Sequence, residues 1–431
     1  MKFNDKRLHC SDEKRNSIKE AIAMTRNRRA SQIVKCFELK LNLSKMNQRQ
    51  LEELKMIFVE GKWFYNHVLA YKKENEVPLS TINTTNITEV KHFGKNKEEI
   101  VSELKFLKSQ QKQQIVSRMN VNERAIASLV RKGFQKHGGL KFKSELTSIP
   151  LPQYKVSYVF KGETSVRIQG IHGKIHLFGT HQLHGVDEFA NANLVHKPDG
   201  YYLKITCYTN KENVKSIPCN GREIGIDFGI SNNLTTSDGE IVNISVGESE
   251  HLKVLQHKLA RQVKGSNNRK KTVHNIQVTY QKLNNRKQEL ANQFIHKMKQ
   301  YKTVVIQNEQ LATWHRDKKK GYSKIVQHSC MGTIKAKLKN LSNVIVLDEY
   351  IPTTKWCPNC GHEHEMPLNE RTYSCDCGYS RNRDVHAAQN MLNIAHLVLG
   401  KNLVVPTEHR EIKRVEFLSK TETMKHEAAT L

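Results

Sequence analysis

Apolar positions along this chain change their spacing several times, and each change marks a new kind of element. The run Ile33-Val-Lys-Cys-Phe-Glu-Leu-Lys-Leu41 alternates apolar and polar residues, the period-two signature of a half-buried strand. From Leu51 the spacing turns helical through Leu54, Ile57, Phe58, Phe64, Val68 and Leu69, which predicts a helix to about Lys73. Trp63, Phe64 and Tyr65 could stack on nucleic-acid bases, but a cluster at this spacing reads first as core. Residues 76–98, with Pro78, Thr84-Thr85 and Gly94, read as loop. Residues 99–137 read as helical, with Leu104, Ile115, Met119, Ala125, Leu129, Val130 and Phe134 in register. Their interleaved Lys105, Lys108, Lys112, Arg131, Lys132 and Lys136 form either a solvated face or a grip on a phosphate backbone. Gly138-Gly139 ends these helices, and Pro150 and Pro152 mark a boundary.

Beyond that boundary the period falls to two. Short strands are predicted at Tyr154–Phe160, Ser165–Ile168, Lys174–Phe178 and Tyr201–Cys207, separated by Gly162, Gly170, Gly173 and Asp199-Gly200. With the strand at 33–41 they could close a small β-barrel. Glu223-Ile-Gly-Ile-Asp227-Phe-Gly229 reads as a strand carrying an aspartate, followed by a hairpin with Asp238-Gly239 at its turn. Residues 249–299 are long helices broken by the basic loop Lys264–Lys271. Tyr301–Gln307 and Asn343–Asp348 are buried strands, and by period two Gln307 and Glu309 share a face. A last helix opens near Asp384 and runs to about Leu399, with Asp384 on the same inward face as Ala387, Ala388, Met391, Leu392 and Ala395. No internal repeat interrupts this order.

Charge narrows the class of partner. Seventy Lys and Arg against 42 Asp and Glu leave +28 over 431 residues, a balance that suits a polyanion, nucleic acid above all. A mean hydropathy of −0.63 and the lack of a long apolar run argue against a membrane span. The polar Met1–Lys6 lacks the apolar core of a signal peptide, which argues against secretion. Of nine cysteines, Cys10, Cys36, Cys207, Cys219 and Cys330 are scattered and odd in number, as in a reducing cytoplasm.

The other four are paired. Cys357-Pro-Asn-Cys360-Gly and Cys375-Asp-Cys377-Gly are two short turns that each aim two thiolates at one ion, the pattern of a tetrahedral zinc site. His362 and His364 lie nearby and read as bystanders that could replace a thiolate. Three acids stand at the ends of apolar elements: Asp227, Glu309 and Asp384, separated by 82 and 75 residues. Local sequence cannot join them, but a sheet can. A glycine-bordered strand and hairpin, intervening helices, a later parallel strand and an acid-bearing helix make up the RNase H-like plan. There, carboxylates hold two Mg²⁺ ions about 3.5–4 Å apart for phosphodiester hydrolysis. Singly, each acid has a plainer reading: Asp227 in a turn, Glu309 paired with Arg316 or Lys318, Asp384 as a helix cap.

The order Gly225-Ile-Asp227-Phe-Gly229, the strand acid, the two cysteine pairs and Arg383-Asp384-Val-His-Ala-Ala-Gln-Asn390 resembles the TnpB family of insertion-sequence nucleases, relatives of the type V CRISPR effectors. The resemblance covers about residues 33–399. It implies an RNase H-like (RuvC) nuclease of mixed α/β fold with an inserted zinc ribbon, preceded by a β-barrel wedge domain that carries a helical recognition insertion. Residue ranges follow: a basic flexible arm at 1–32, wedge barrel at 33–45 and 151–220, recognition helices at 46–150, nuclease at 221–351 and 381–399, zinc ribbon at 352–380, and a polar tail at 400–431. Carried over, Asp227, Glu309 and Asp384 are the catalytic, Mg²⁺-binding acids, and Cys357, Cys360, Cys375 and Cys377 bind one structural Zn²⁺.

The implied activity is RNA-guided cleavage of double-stranded DNA beside a short flanking motif, with a guide (the ωRNA) from the element's own end, in the bacterial cytoplasm. Many members read Glu-Asp-Leu after the strand, where this chain has Gln307-Asn308-Glu309. Alignment puts Gln307 in the glutamate's place; the shared face lets Glu309 act instead. A nuclease-inactive RNA-guided repressor should have lost an acid. A transposase or resolvase would act without RNA.

Overall fold

The computed structural model describes residues 12–398 apart from 95, 97, 135, 136, 215, 216, 317–321 and 368, and divides into two compact units, 1–215 and 216–431. The predicted tail at 400–431 and the first eleven residues of the predicted arm lie outside the described residues.

In the first unit the arm region holds a helix, α1 (Asp12–Ala30), rather than free chain. Arg28 and Arg29 at its end bind Glu188 at 2.9 and 2.6 Å, and the Arg29 guanidinium covers the Tyr208 ring, which ties the helix to the sheet behind it. Strand β1 (Gln32–Lys40) follows directly. Helix α2 (Gln48–Asn75) starts at a reciprocal cap, in which the Asn47 side chain accepts from the Gln50 N–H and the Gln50 side chain accepts from the Asn47 N–H.

The loop-then-helix reading of 76–137 needs correction. Strands β2 (Glu89–Phe93) and β3 (Glu99–Glu103) form an antiparallel hairpin, and helix α3 spans only Ser109–Arg131. Val90 is buried under the hairpin, and the Trp63 ring stacks on His92 at 3.9 Å, so Trp63 is packed as core. The buried Glu60 carboxylate accepts from the N–H groups of Lys105, Phe106 and Leu107 and so fixes the entry to α3.

Strands β4 (Ser148–Leu151), β5 (Tyr158–Phe160), β6 (Ser165–Ile168), β7 (Ile175–His176), β8 (Glu188–Lys197) and β9 (Gly200–Asn210) make two sheets, β1-β9-β8-β4 and β5-β6-β7. A single Leu41–Leu177 bridge joins the chain after β1 to the chain after β7. Pro150 belongs to β4, an edge strand, where a missing N–H is tolerated.

The second unit is built on one mixed sheet. Strands β10 (Glu223–Phe228), β11 (Leu234–Thr236) and β12 (Ile241–Val242) are antiparallel neighbours. Helices α4 (Glu250–Arg261) and α5 (Asn267–Met298) then carry the chain to β13 (Thr303–Gln307), which runs parallel to β10 with Ile226 opposite Ile306. Helices α6 (Leu311–Arg316), α7 (Tyr322–His328) and α8 (Met331–Leu338) lead to β14 (Val344–Leu347), parallel to β13. The order β12-β11-β10-β13-β14 puts the aspartate strand at the centre, as the RNase H-like plan requires. The hairpin β15 (Thr372–Ser374) and β16 (Ser380–Asn382) precedes α9 (Arg383–Val398).

Helix α9 lies directly on β10. A Cβ on Gly225 would sit 2.0 Å from the Ala388 carbonyl oxygen, so glycine at 225 is what lets the helix approach this closely. Ile224, Ile226, Val304, Ile306, Met331 and Leu338 fill one face of the sheet; Val305, Leu347, Met391, Ile394 and Ala395 fill the other. Among the described residues no helix is long and apolar enough to cross a membrane.

Candidate active site

Three elements of the second unit deliver the three acids. Asp227 sits near the end of β10, with Ile226 turned into the core and Thr235 of β11 opposite. Burial, then the Glu309 and Asp384 carboxylates, push its carboxyl well above the ordinary carboxylate range, against the pull of Arg383. Asp227 therefore lies within the field of both other acids, which stand 82 and 157 positions further along the chain.

Asp384 lies in the first turn of α9, but the cap is Asn382, whose side chain accepts from the N–H groups of Asp384 and Val385. Asp384 is thus released from the capping role and accepts from Asn232 Nδ2 at 3.0 Å instead. Asn232, in the turn between β10 and β11, is a site residue that sequence reading missed.

Gln307 and Glu309 part company. Strand β13 ends at Gln307, so the period-two face does not continue to 309. Gln307 is buried, and its amide donates to the carbonyls of Asp348, Glu349 and Ile351 at 2.9, 3.2 and 2.8 Å while its Oε1 accepts from Thr353 Oγ1. This side chain braces the loop after β14, with its amide hydrogens committed to backbone carbonyls.

The Glu309 carboxylate acts on Asp227. Its Oε2 is buried and meets no hydrogen-bond donor among the described residues. Burial pushes its carboxyl up to about 7, while the Lys335 ammonium acts in the opposite sense. The side chains of Arg316 and Lys318, the partners considered from sequence, lie outside the described residues. The cation that does meet this residue is Lys335, a buried lysine of α8 that donates to the Glu309 carbonyl; nothing in the lysine-rich run 335–339 singles it out.

A buried carboxylate oxygen with no donor, beside two more acids, is an arrangement that a cation would complete. All the candidate donors are hard oxygens, which suit Mg²⁺.

The four paired cysteines also converge. Their sulfurs all lie within 4.8 Å of one another, with Cys357 Sγ 3.6 Å from Cys377 Sγ and Cys360 Sγ 3.4 Å from Cys375 Sγ. Four sulfurs at about 2.3 Å from a tetrahedral Zn²⁺ would be about 3.8 Å apart, so the cluster fits that ion. Gly361 and Gly378, at φ +72° and +86°, close the two turns by donating to the carbonyls of Cys357 and Cys375. An Asn359 Nδ2–H and the Tyr379 N–H bring the Cys377 thiol down to about 6. His364 Nε2 also reaches Cys375 Sγ at 3.2 Å, closer than the bystander role expected of it.

The cluster is fastened to α9 by residues of the Arg-Asp motif. Asn390 Nδ2 donates to the carbonyls of Thr353 and Trp356, each at 2.8 Å, just ahead of Cys357. His386 is fully buried and stacks on Tyr373 at 3.8 Å.

Two family models match this chain: "Probable transposase" of the OrfB_IS605 group over residues 206–312, and "Cas12f1-like, TNB domain" over 331–391. A Streptomyces pristinaespiralis protein called "Putative RNA-guided DNA endonuclease" is 27% identical over 206 residues, 44% of this chain and 49% of that protein. The Escherichia coli K12 "Putative RNA-guided DNA endonuclease InsQ" is 27% identical over 211 residues, 41% of this chain and 50% of that protein. The matched stretch thus spans about half the length of each relative. A solved Cas12f1–sgRNA–target DNA complex superposes with a TM-score of 0.45 at 13% identity, covering 84% of this chain and 99% of that one. The insertion-sequence model falls on the aspartate strand, the Cas12f1-like model on the cysteine segment, and both endonuclease relatives are similar to this chain, in keeping with the resemblance to the TnpB family.

Proposed function

We propose that this protein is an RNA-guided DNA endonuclease of a transposable element, working in the bacterial cytoplasm and hydrolysing phosphodiester bonds at Asp227, Glu309 and Asp384. The observation that supports this reading is that Asp227 on the central strand feels the carboxylates of Glu309 and Asp384, with Glu309 Oε2 buried and without a donor among the described residues. These acids would hold two Mg²⁺ ions. Bound there, the metal would activate water for attack and neutralise charge on the leaving 3′ oxygen.

The chain's own groups set the stage for that chemistry. Asn232 fixes one oxygen of Asp384, which leaves the other available. Gly225 lets α9 bring Asp384 up to the strand of Asp227. Cys357, Cys360, Cys375 and Cys377 would hold one structural Zn²⁺, forming a ribbon between β14 and α9. The guide RNA and the DNA duplex are the polyanions that the +28 charge answers, with the first unit acting as wedge barrel and recognition helices.

The test is to purify the protein with its native flanking DNA present and to sequence the RNA that accompanies it. One abundant RNA ending in a variable segment from beside the gene is expected. Heterogeneous or absent RNA would overturn guidance and leave a nuclease or transposase acting on DNA alone.

A further inference from the structure

We propose that Lys335, seconded by Lys339, is a positioning residue that holds Glu309 in place for metal binding. The inference rests on the reading of Glu309 as a metal ligand.

Past Gln307 the strand pairing ends, and the segment 308–310 must be held by other means. Three main-chain bonds remain: Asn308 N–H to the Leu347 carbonyl at 2.8 Å, and the turns from Leu311 N–H back to the Glu309 carbonyl at 3.1 Å and from Thr313 N–H back to the Gln310 carbonyl at 2.8 Å. Helix α8 supplies the rest. Met331, Ile334 and Leu338 anchor its apolar side in the core. The lysines one turn apart then reach the segment together. Lys335 Nζ donates to the Glu309 carbonyl, and Lys339 Nζ donates to Asn308 Oδ1.

A lysine 7% exposed is costly to bury, and a Met or Leu would fill the same space more cheaply. What surrounds its head explains it. The ammonium lies 5.5 Å from the centroid of the Phe228 ring, next in sequence to Asp227, and the charges facing it are Glu309, Glu349 and Lys339. One side chain therefore touches the backbone of Glu309 and the neighbour of Asp227. That is the place for a group that sets the spacing of two carboxylates that repel one another.

The direction of one measured shift separates positioning from charge alone. Removing a cation near a metal site by itself tightens metal binding, whereas loosening a ligand weakens it. The experiment measures Mn²⁺ binding to the full-length protein by electron paramagnetic resonance, alongside the Mg²⁺ dependence of cleavage. Lys335→Met is expected to weaken Mn²⁺ binding about tenfold or more, equivalent to ~1.4 kcal/mol, and to raise the half-saturating Mg²⁺ concentration in parallel. Lys339→Met should produce a smaller shift of the same sign, and it carries the test should Lys335→Met fail to fold.

Unchanged or tighter Mn²⁺ binding in a folded Lys335→Met variant would overturn the proposal, as would unchanged binding in Lys339→Met if that alone can be studied. Glu309→Gln is the control. If it leaves Mn²⁺ binding unaltered, the ligand reading fails first; if it weakens binding while the lysine variants do not, only the positioning role falls. Combined with Glu309→Gln, Lys335→Met should add no further loss.

Discussion

Replacing Gln307 by Glu puts the family's usual residue at the aligned position, and it should do harm rather than restore a site. The wild-type amide donates to three buried carbonyls, those of Asp348, Glu349 and Ile351, and its oxygen accepts from Thr353. A carboxylate has no hydrogen to donate, so an acceptor would face a ring of acceptors in a site only 5% exposed. The Asp348 and Ile351 carbonyls keep the N–H groups of Ile351 and Thr353, so the Glu349 carbonyl is stranded and the new carboxylate oxygen is buried without a donor; at about 1–3 kcal/mol each, that is roughly 2–6 kcal/mol in all. Against a typical total of about 5–15 kcal/mol that is a large fraction, and it corresponds to a fall in Tm of roughly 5–20 °C for a unit of this size. A protonated carboxyl can donate once, so the folded state would favour the protonated form and raise the carboxyl pKa. The penalty is then greatest well above the unfolded value of about 4.3 and shrinks as pH falls. Melting curves of Gln307→Glu at pH 8 and pH 5.5 measure this directly, and cleavage by the Gln307→Glu/Glu309→Gln double variant tests the site. Wild-type stability at pH 8, or recovery of cleavage in the double variant, would refute the assignment of Gln307 as a brace and Glu309 as the ligand.

Other consequences are open to simpler assays. Gly225→Ala should force α9 off β10, because its Cβ would meet the Ala388 carbonyl at 2.0 Å. The expected cost is about 1–3 kcal/mol in thermal unfolding, with a loss of cleavage on the order of 100-fold from misplacing Asp384; an unperturbed variant would show that the close approach is not needed. Since burial raises Glu309 to about 7 and Asp227 also lies high, a divalent ion must displace protons to bind. Half-saturating Mg²⁺ should therefore climb as pH drops below about 7, and calorimetry at pH 6.5 in buffers of different ionisation enthalpy should register proton release; a flat metal requirement from pH 8 to 6 would count against buried ligands. Purified protein should carry one zinc per chain by elemental analysis. Stripping it with a chelator, or introducing Cys357→Ser, should expose residues 352–382 to protease, whereas equal protease resistance without metal would mean the cysteines hold no structural ion.

Much of this site was legible because its signals are local. Cysteine pairs two or three residues apart define a cluster wherever the chain goes, and Asp227 and Asp384 announce themselves by the glycines and alanines that permit close packing around them. Glu309 was found through a shared strand face that the structure does not contain, since β13 stops two residues earlier. The choice over Gln307 follows instead from carbonyls some 40 residues away, which sequence spacing cannot reveal. Lys335 was invisible for a related reason: in Lys335-Ala-Lys337-Leu-Lys339 only tertiary packing decides which ammonium is buried. In the first unit, β8 is rich in Ala and Asn and β4 contains Pro150, so neither shows strand propensity, and pairing with β9 and β8 respectively makes them strands. The β2–β3 hairpin hid among charged residues because a single buried position, Val90, anchors it.

The most direct test joins the guide to the site. Protein purified with its own RNA would be given a plasmid carrying the matching sequence beside a randomised flanking motif, with Mg²⁺ present, and compared with Asp227→Ala and Glu309→Gln variants that retain the same RNA. Linear product confined to one flanking motif, made by the wild type and lost in both variants while DNA binding persists, is the expected result. Cleavage that survives in both variants, or that ignores the sequence of the RNA, would contradict RNA-guided hydrolysis at these acids.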